Sequence, residues 1–139
     1  MKTSNPSPLI SLLLPEDVSE SYDDGVSSYW KRNDTCLLQI SCESGAQLSA
    51  SQRLSERTMP QGIWRPFDLP RKPEGCDAAA ATLVNDQGNW WVHAYFVWKS
   101  LAIHATISRQ GPLEGCVWAL DSLATIRHVD ADEEFPQQF

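Results

Sequence analysis

Two histidines, His93 and His104, are the residues of this chain best suited to chemistry, because imidazole serves as a metal ligand and as a general acid or base. They lie in two apolar, aromatic and β-branched runs on either side of the polar pair Lys99-Ser100, and this pattern predicts a β-hairpin. With that pair as the loop, Tyr95 faces His104, and His93 lies diagonal to His104 on the same side. A two-histidine metal site needs a third ligand. The sequence offers none nearby, so we expect no metal.

The same register divides the hairpin into two faces, since successive side chains of a strand alternate. The apolar face, which we assign to the core, pairs Trp98 with Leu101, Phe96 with Ile103, Ala94 with Ala105 and Val92 with Ile107. The second face carries Trp91, His93, Tyr95, Val97, Ala102, His104, Thr106 and Ser108. Half-polar, aromatic surfaces are typical of protein contacts. We therefore predict that Trp91, His93, Tyr95 and His104 bind a partner.

The four cysteines are expected to be thiols. Cys36 and Cys42 lie six residues apart in one predicted strand, about 20 Å from each other, which is too far for a disulfide or a shared metal. No pair has Cys-x-x-Cys spacing, so zinc is not expected. A reactive Cys76 or Cys116 would favour an enzyme, because reactivity requires an accessible thiolate in a positive environment.

Catalytic motifs are absent from the sequence. It contains no Gly-x-Ser-x-Gly, Walker, Rossmann or His-Glu-x-x-His pattern, each of which would place a nucleophile, a phosphate or a metal. We therefore expect a non-enzymatic protein without a cofactor. The alternative from another class is a small enzyme that uses His93, His104 or a cysteine in a pocket that residue spacing does not disclose.

The charge of the chain points to a basic protein partner. Its 139 residues carry a formal net charge of −7, which opposes binding to nucleic acid or to an anionic membrane. The acidic segments Asp23-Asp24 and Asp130 to Glu134 are expected to be solvated and to steer a basic partner. Six tryptophans in so short a chain supply candidate aromatic anchors.

No stretch approaches the roughly 20 apolar residues that cross a bilayer. The apolar run Leu9 to Leu14 is followed by Pro15-Glu16-Asp17, without a small-residue cleavage site, so it is interpreted as a strand and not as a secretion signal. We expect a cytoplasmic protein.

We expect a single domain over residues 1–139, with a loose N-terminus at 1–8 and an acidic C-terminal tail at 130–139. The first expected elements are a strand from Leu9 to Leu14, an acidic turn-rich segment from Glu16 to Gly25, and a hairpin from Val26 to Lys31 and Thr35 to Glu43. A short helix from Ser49 or Ser51 to Arg57, ended by Pro60, and an irregular strand from Ile63 to Leu69 are expected next. The remaining elements are a strand from Ala78 to Asn85, the hairpin described above, a helix from Pro112 to Ala124 and a last strand from Thr125 to Val129.

Two further details are predicted for these elements. With Asp86-Gln87-Gly88-Asn89 as a turn, Leu83, Ala81 and Ala79 would face the core, and the central sheet would be a three-stranded meander. The last helix would present Leu113, Val117, Leu120 and Ala124 to the sheet.

This order of elements resembles the PsbP-like fold, which includes the DcrB-like bacterial proteins. The residues that carry the resemblance are Leu14-Pro15, the turn Asp86-Gln87-Gly88 before Trp90, the run His93-Ala94-Tyr95 with Thr106-Ile107-Ser108, and Ala119-Leu120-Asp121-Ser122-Leu123. The resemblance implies an α+β fold, an antiparallel β-sheet meander with two or three helices packed on it. It also implies no shared catalytic residues, and members that bind proteins, among them adaptor chaperones of type VI secretion effectors.

The sequence favours a bacterial immunity protein that binds and neutralises a toxin. The features behind this hypothesis are the acidity of the chain, its small size, its many tryptophans and the absence of catalytic motifs. The alternative within the binding class is an adaptor chaperone for a secreted type VI effector. An immunity protein meets a folded basic toxin, whereas a chaperone meets a hydrophobic segment.

Overall fold

The computed structural model describes residues 1–32, 34–44, 48–58, 64–84, 87–99, 101–111 and 113–129. Ten strands and two α-helices lie within these ranges. The strands are β1 Lys2–Ser7, β2 Ile10–Leu14, β3 Val18–Asp23, β4 Val26–Lys31, β5 Leu37–Ser44, β6 Arg65–Pro66, β7 Asp77–Val84, β8 Trp90–Trp98, β9 Leu101–Arg109 and β10 Arg127–His128. The helices are α1 Ala50–Thr58 and α2 Val117–Ala124, and a 3₁₀ turn, Leu113–Cys116, leads into α2.

The strands form two antiparallel sheets. The large sheet has the order β3-β4-β5-β9-β8-β7-β6, and the small sheet has the order β1-β2-β10. Helix α1 packs on β7 and β8, and α2 packs on β2. The fold is therefore α+β and built on antiparallel sheets with helices packed on them, as the sequence predicted. Among the described residues, no helix has the length and apolar composition needed to cross a lipid bilayer.

The hairpin of β8 and β9 has the predicted register. Trp98 pairs with Leu101, Phe96 with Ile103, Ala94 with Ala105 and Val92 with Ile107. These side chains are buried or half-buried, and they belong to the core that the large sheet shares with β2 and α2. Ser100 lies outside the described residues. The alternating pattern fixed this register because a slip by one residue would expose every core side chain.

The predicted register of β7 was wrong by one residue. Ala80 pairs with Ala94 and Thr82 with Val92, so Ala80 and not Ala81 shares the core face of β8. The paired residues Val84 and Trp90 are separated by five residues, whereas the predicted four-residue turn left only Asp86 to Asn89 between the strands. The extra residue moves every side chain of β7 to the other face. Asp86, part of that turn, lies outside the described residues.

The N-terminal segments contain more strand than the sequence predicted. Residues 2–7, for which we expected a loose terminus, form β1 and pair with β2. The acidic segment Glu16 to Gly25 contains β3, which pairs with β4 across a turn at Asp24 and Gly25. Both turn residues have positive φ, 50° and 81°, and Asp and Gly tolerate this conformation. Local composition did not reveal these strands because their polar residues face solvent on the sheet edges.

The predicted helix over residues 49–57 is confirmed as α1, with Ser49 as its N-cap. Ser49 Oγ accepts a hydrogen bond from the Gln52 amide at 3.1 Å, and Gln52 Oε1 accepts one from the Ser49 amide at 2.8 Å. This reciprocal pair is a capping box, which satisfies amide groups at the start of a helix. Asp77 Oδ2 also accepts a hydrogen bond from the Ala50 amide at 2.8 Å, which ties the start of α1 to β7. Pro60, the predicted helix end, lies outside the described residues.

The buried face of α2 differs from the predicted stripe. Ala119, Ser122 and Leu123 are buried, whereas Val117 is 53% exposed. Of the predicted stripe, Leu120 is half-buried and packs against the core. The 3₁₀ turn before α2 has about three residues per turn and the α-helix has 3.6. A stripe counted at α-helical spacing from Leu113 therefore falls out of phase.

The remaining elements are close to their predictions. The hairpin of β4 and β5 pairs Trp30 with Leu37. The irregular strand is reduced to β6, and Ile63 lies outside the described residues. The last strand is β10, which pairs with β2. The predicted acidic tail, 130–139, lies outside the described residues.

Candidate functional site

The second face of the large sheet brings together side chains from three neighbouring strands. Tyr95 on β8 pairs with His104 on β9, and His104 pairs with Ser41 on β5. Glu43 therefore lies two residues along β5, on the same face. Helix α1 crosses this part of the face, since it packs on β7 and β8.

Three rings form a stack under α1. The ring of His104 lies 4.6 Å from that of Tyr95 and 5.0 Å from that of His93, with interplanar angles of 15° and 13°. Trp64 continues the contact, with its ring 4.6 Å from His93 and tilted by 57°. The Nδ1 atom of His93 lies 2.8 Å from the Nε2 atom of His104. One ring donates this hydrogen bond and the other accepts it, so the accepting ring must be neutral.

The environment holds both imidazoles in the neutral form. Burial, followed by the charge of Arg57 and the neighbouring His93, lowers the pKa of His104 to about 3. Burial and Arg57 also lower the pKa of His93. At neutral pH the pair is therefore an uncharged hydrogen-bonded unit.

A charged clamp joins α1 to the sheet beside these rings. Glu43 Oε2 lies 2.9 Å from Arg53 Nη1, and Glu43 Oε1 lies 3.5 Å from Arg57 Nη2. The Tyr95 hydroxyl accepts hydrogen bonds from Arg57 Nε and Nη2, each at 3.3 Å, and donates one to Glu43 Oε1 at 3.4 Å. Arg53 is buried and Arg57 lies one helical turn later, so both face the sheet. The clamp accounts for the packing of a helix that has few apolar residues.

The clamp opens to solvent at a small polar depression of about 310 Å³, lined by Glu43, Arg53, Glu56, Arg57 and Tyr95. His104 is 8% exposed and stacks on Tyr95, whereas His93 is half-buried. Within the residues that the structure describes, no three His, Cys, Asp or Glu side chains are arranged to hold a metal ion.

The predicted partner-binding residues separate into three places. His93, Tyr95 and His104 lie under α1, where Tyr95 is only 3% exposed. Trp91 is half-buried and lines a depression together with Leu37, Asn89 and Ser108. Asp23 and Asp24 are exposed at the turn between β3 and β4, four strands away from Trp91 and about 20 Å from it.

The part of the second face beside Trp91 carries two residues that the sequence prediction missed, Leu37 and Trp30. Trp91 pairs with Ser108, Ser108 with Leu37, and Leu37 with Trp30. These four side chains form one row across β8, β9, β5 and β4, which we call the open face. Trp30 is 37% exposed. The sequence predicted the β4–β5 hairpin without its register, so the pairing of Trp30 with Leu37 and the neighbours of β5 were needed to place Trp30 in the row of Trp91.

Next to α1 lies a groove of about 790 Å³ that the sequence did not predict. It lies along β7, where β6 pairs only with Thr82 and Ala81. Its lining is Ser51, Leu54, Ser55, Thr58, Trp64, Arg65, Pro66, Phe67, Asp68, Leu69, Lys72 and Ala78 to Ala81. The groove thus combines apolar side chains with hydroxyl groups from α1 and two cationic side chains.

Comparison with known proteins adds information on the fold. No family model matches the chain, and no curated protein matches it. A crystal structure from Bacteroides thetaiotaomicron VPI-5482 matches with a TM-score of 0.59 at 15% sequence identity. The match covers 93% of this chain and 49% of the other, so this chain spans about half the length of that neighbour. The likeness is one of fold alone.

Proposed function

We propose that this chain is a non-enzymatic protein-binding protein, and that it acts as an immunity protein which neutralises a basic toxin. The observation that carries the proposal is the open face, in which Trp91 and Trp30 lie at the two ends of a half-polar row across four antiparallel strands. Tryptophan is enriched among the residues that dominate binding energy, because it buries a large rigid area and keeps one hydrogen-bond donor.

The surroundings of the open face support a contact with a folded protein. A depression of about 410 Å³ adjoins Trp91 and is lined in part by Leu37, Asn89 and Ser108. It offers a partner side chain a place beside the aromatic anchor, and hydroxyl and amide groups for hydrogen bonds at its rim.

The charge of the chain supports a basic partner. A net charge of −7 accelerates encounters with cationic surfaces, and the exposed Asp23 and Asp24 add to the field. A toxin that acts on nucleic acid needs a basic cleft. An acidic protein with aromatic anchors is suited to cover such a cleft.

The test combines capture with point variants. The tagged full chain captures its partner from a native lysate of the source cells, and the partner is then expressed with and without the chain. We expect a basic protein whose toxicity is suppressed by the wild-type chain. Trp91→Ala and Trp30→Ala are each expected to weaken the complex by about tenfold or more.

Tyr22→Ala is the matched control for these variants. Tyr22 is 68% exposed and belongs to the same edge hairpin as Trp30, but its pairing with Ser27 places it on the opposite face of the sheet. We expect unchanged affinity for this variant. A partner that binds Trp91→Ala and Trp30→Ala as tightly as wild type would exclude the open face. A partner that is not toxic would exclude immunity.

The groove favours a second candidate, an adaptor chaperone for a secreted type VI effector. Its apolar lining, with Leu54 on one wall and Phe67 and Leu69 on another, is suited to a hydrophobic helix. The resemblance to the PsbP-like fold agrees with this candidate. Leu54→Glu is expected to weaken capture of a hydrophobic segment and not that of a folded basic protein, whereas Trp91→Ala is expected to have the opposite pattern. The two variants therefore distinguish the two roles.

A further inference from the structure

The groove beside α1 has two walls and a floor of methyl groups. Residues 64–69 form the wall at the edge of the sheet, where they start antiparallel to β7 and Phe67 donates a backbone hydrogen bond to Ala80 at 2.9 Å. Ala78 to Ala81 line the floor, and the space above them stays open because alanine carries only a methyl group. The wall on α1 shares one face of the helix, since its members are three or four residues apart. These are Ser51, Leu54, Ser55 and Thr58.

One end of the groove lies at the start of β7 and is polar. Lys72 lines the groove and precedes Pro73, whose carbonyl accepts a hydrogen bond at 3.4 Å from the thiol of Cys76. Cys76 in turn directly precedes β7. The first turn of α1 reaches the same end, because Asp77 on β7 accepts a hydrogen bond from the Ala50 amide at 2.8 Å. The lysine and the start of α1 therefore meet at one end of the floor.

The ammonium of Lys72 is available to a ligand. Within the described residues Lys72 takes part in no ion pair, whereas the neighbouring Arg71 is paired with Asp121 at 3.4 Å. The Lys72 side chain is exposed, in a chain whose net charge is −7. A lysine ammonium binds a carboxylate as a compact point charge, and the attraction is stronger at a protein surface than in bulk water. This end of the groove is therefore suited to an anionic head group.

The other end of the groove is aromatic. Trp64 lines it, and its ring lies 4.6 Å from that of His93, which pairs with Ala81. Four residues of strand separate position 77 from position 81, which is about 13 Å. Larger apolar side chains also line the groove, namely Leu54, Phe67 and Leu69. Along its floor the groove thus leads from a cation to an apolar, aromatic end.

A second cation in the lining, Arg65, is oriented differently. Arg65 pairs with Thr82, and Thr82 pairs with Val92, whose side chain lies in the core. Residues directly opposite each other in neighbouring strands share a face, so the Arg65 side chain is on the face opposite to α1. Lys72 is therefore the cation that we assign to the head group.

We propose that the groove binds a free medium-chain carboxylic acid, with its carboxylate on Lys72 and its alkyl chain directed toward Trp64. The volume of about 790 Å³ falls within the range of small-molecule sites, roughly 300–1,000 Å³. An extended alkyl chain adds about 1.25 Å per carbon, so about ten carbons match the length of the floor. Burial of the methylene groups against apolar side chains stabilises the complex. This site is separate from the open face and does not depend on the immunity function.

Calorimetric titration of the full chain with decanoate, below its micelle concentration, tests the proposal. We expect saturable binding of one decanoate per chain. Hexanoate keeps the carboxylate and loses four carbons, whereas decan-1-ol keeps the chain and loses the charge, so each is expected to bind about tenfold more weakly or less. Absence of saturable decanoate binding would overturn the proposal. An apolar helical peptide that binds in the groove where decanoate does not would assign it to a protein partner instead.

Lys72→Gln tests the position of the head group. We expect it to weaken decanoate binding by about tenfold, because the carboxylate loses its cation. Arg65→Gln removes the same charge from the other face of the sheet and is the matched control, with an expected affinity close to that of the wild type. Equal weakening by both variants, or weakening by Arg65→Gln alone, would contradict a carboxylate on Lys72.

Ser55→Phe tests the position of the alkyl chain. Ser55 is exposed on α1 and lines the groove, so a phenyl ring there fills the space without disturbing a buried residue. We expect loss of decanoate binding at an unchanged melting temperature. Glu56→Phe is the matched control, because the exposed Glu56 lines the depression at the clamp, and it is expected to bind decanoate as the wild type does. Wild-type affinity in Ser55→Phe would show that decanoate binds elsewhere and would overturn the proposal.

Discussion

His93 and His104 share a hydrogen bond of 2.8 Å between neighbouring strands, in a site where both rings are held neutral. The bond depends on this neutrality, because two protonated imidazoles have only donors. The pair therefore stabilises the packing of α1 on the sheet under neutral conditions and loses that role in acid.

Acid is expected to destabilise the fold in the range set by His104. Its pKa falls from 6.5 to about 3 in the folded chain, so the unfolded chain binds more protons between these values. Stability should be complete above about pH 6.5 and decrease as the pH falls toward 3, by up to about 5 kcal/mol. Urea unfolding across this range measures the effect. His104→Gln should flatten the profile, and His128→Gln serves as the histidine-removal control. An unchanged slope in His104→Gln would show that other groups control the acid response.

Truncation of the core face of the hairpin should lower stability strongly. Phe96 and Ile103 pair with each other and are fully buried. Phe96→Ala and Ile103→Ala are each expected to reduce the free energy of unfolding by about 2–5 kcal/mol. Val84→Ala, at a position that is 45% exposed, should change it by less than about 1 kcal/mol. Similar losses in all three variants would contradict the assignment of the faces.

The clamp should control how firmly α1 is held. Glu43→Gln leaves the buried Arg53 without its carboxylate partner. We expect a loss of about 1–3 kcal/mol, less than for a fully buried pair because the Glu43 side chain is 32% exposed. Hydrogen exchange should accelerate in α1 and remain unchanged in α2, which packs on the other sheet. Equal acceleration in both helices would indicate global destabilisation and not a local clamp.

The acidic turn should act on the rate of partner binding. Asp23→Asn and Asp24→Asn remove charge while keeping the turn, because Asn also tolerates the positive φ at position 24. Together they are expected to slow association severalfold at low salt and to have little effect at high salt, with dissociation unchanged. Stopped-flow or surface-binding kinetics with the captured partner measure this. A change confined to dissociation would place the turn inside the contact.

The exposed and buried faces of α2 offer a test of its phase. Leu123 is 1% exposed and Val117 is 53% exposed. Leu123→Ala is expected to cost about 2–4 kcal/mol, whereas Val117→Ala should be near neutral because alanine favours the helix. Chemical denaturation of both variants measures the two losses of stability. A larger loss for Val117→Ala than for Leu123→Ala would show that the stripe predicted from the sequence faces the core.

The sequence alone determined the β8–β9 hairpin, a short helix that starts at Ser49 or Ser51, and the acidic character of the chain. These features depend on neighbours in the chain. A two-residue loop and an alternating pattern leave one register that buries Phe96 and Ile103, and a capping box is satisfied within one helical turn.

Only the tertiary structure decided which surfaces are available. Helix α1 covers Tyr95 and His104 because its Arg53 and Arg57 form ion pairs with Glu43. Glu43 lies on β5, and the position of β5 is set by its pairing with β4 and β9. The same pairing of β5 with β4 and β9 puts Trp30 in one row with Trp91. Such contacts depend on how the sheets and helices pack as a whole. The register of a single strand, as β7 shows, can change face through one additional loop residue.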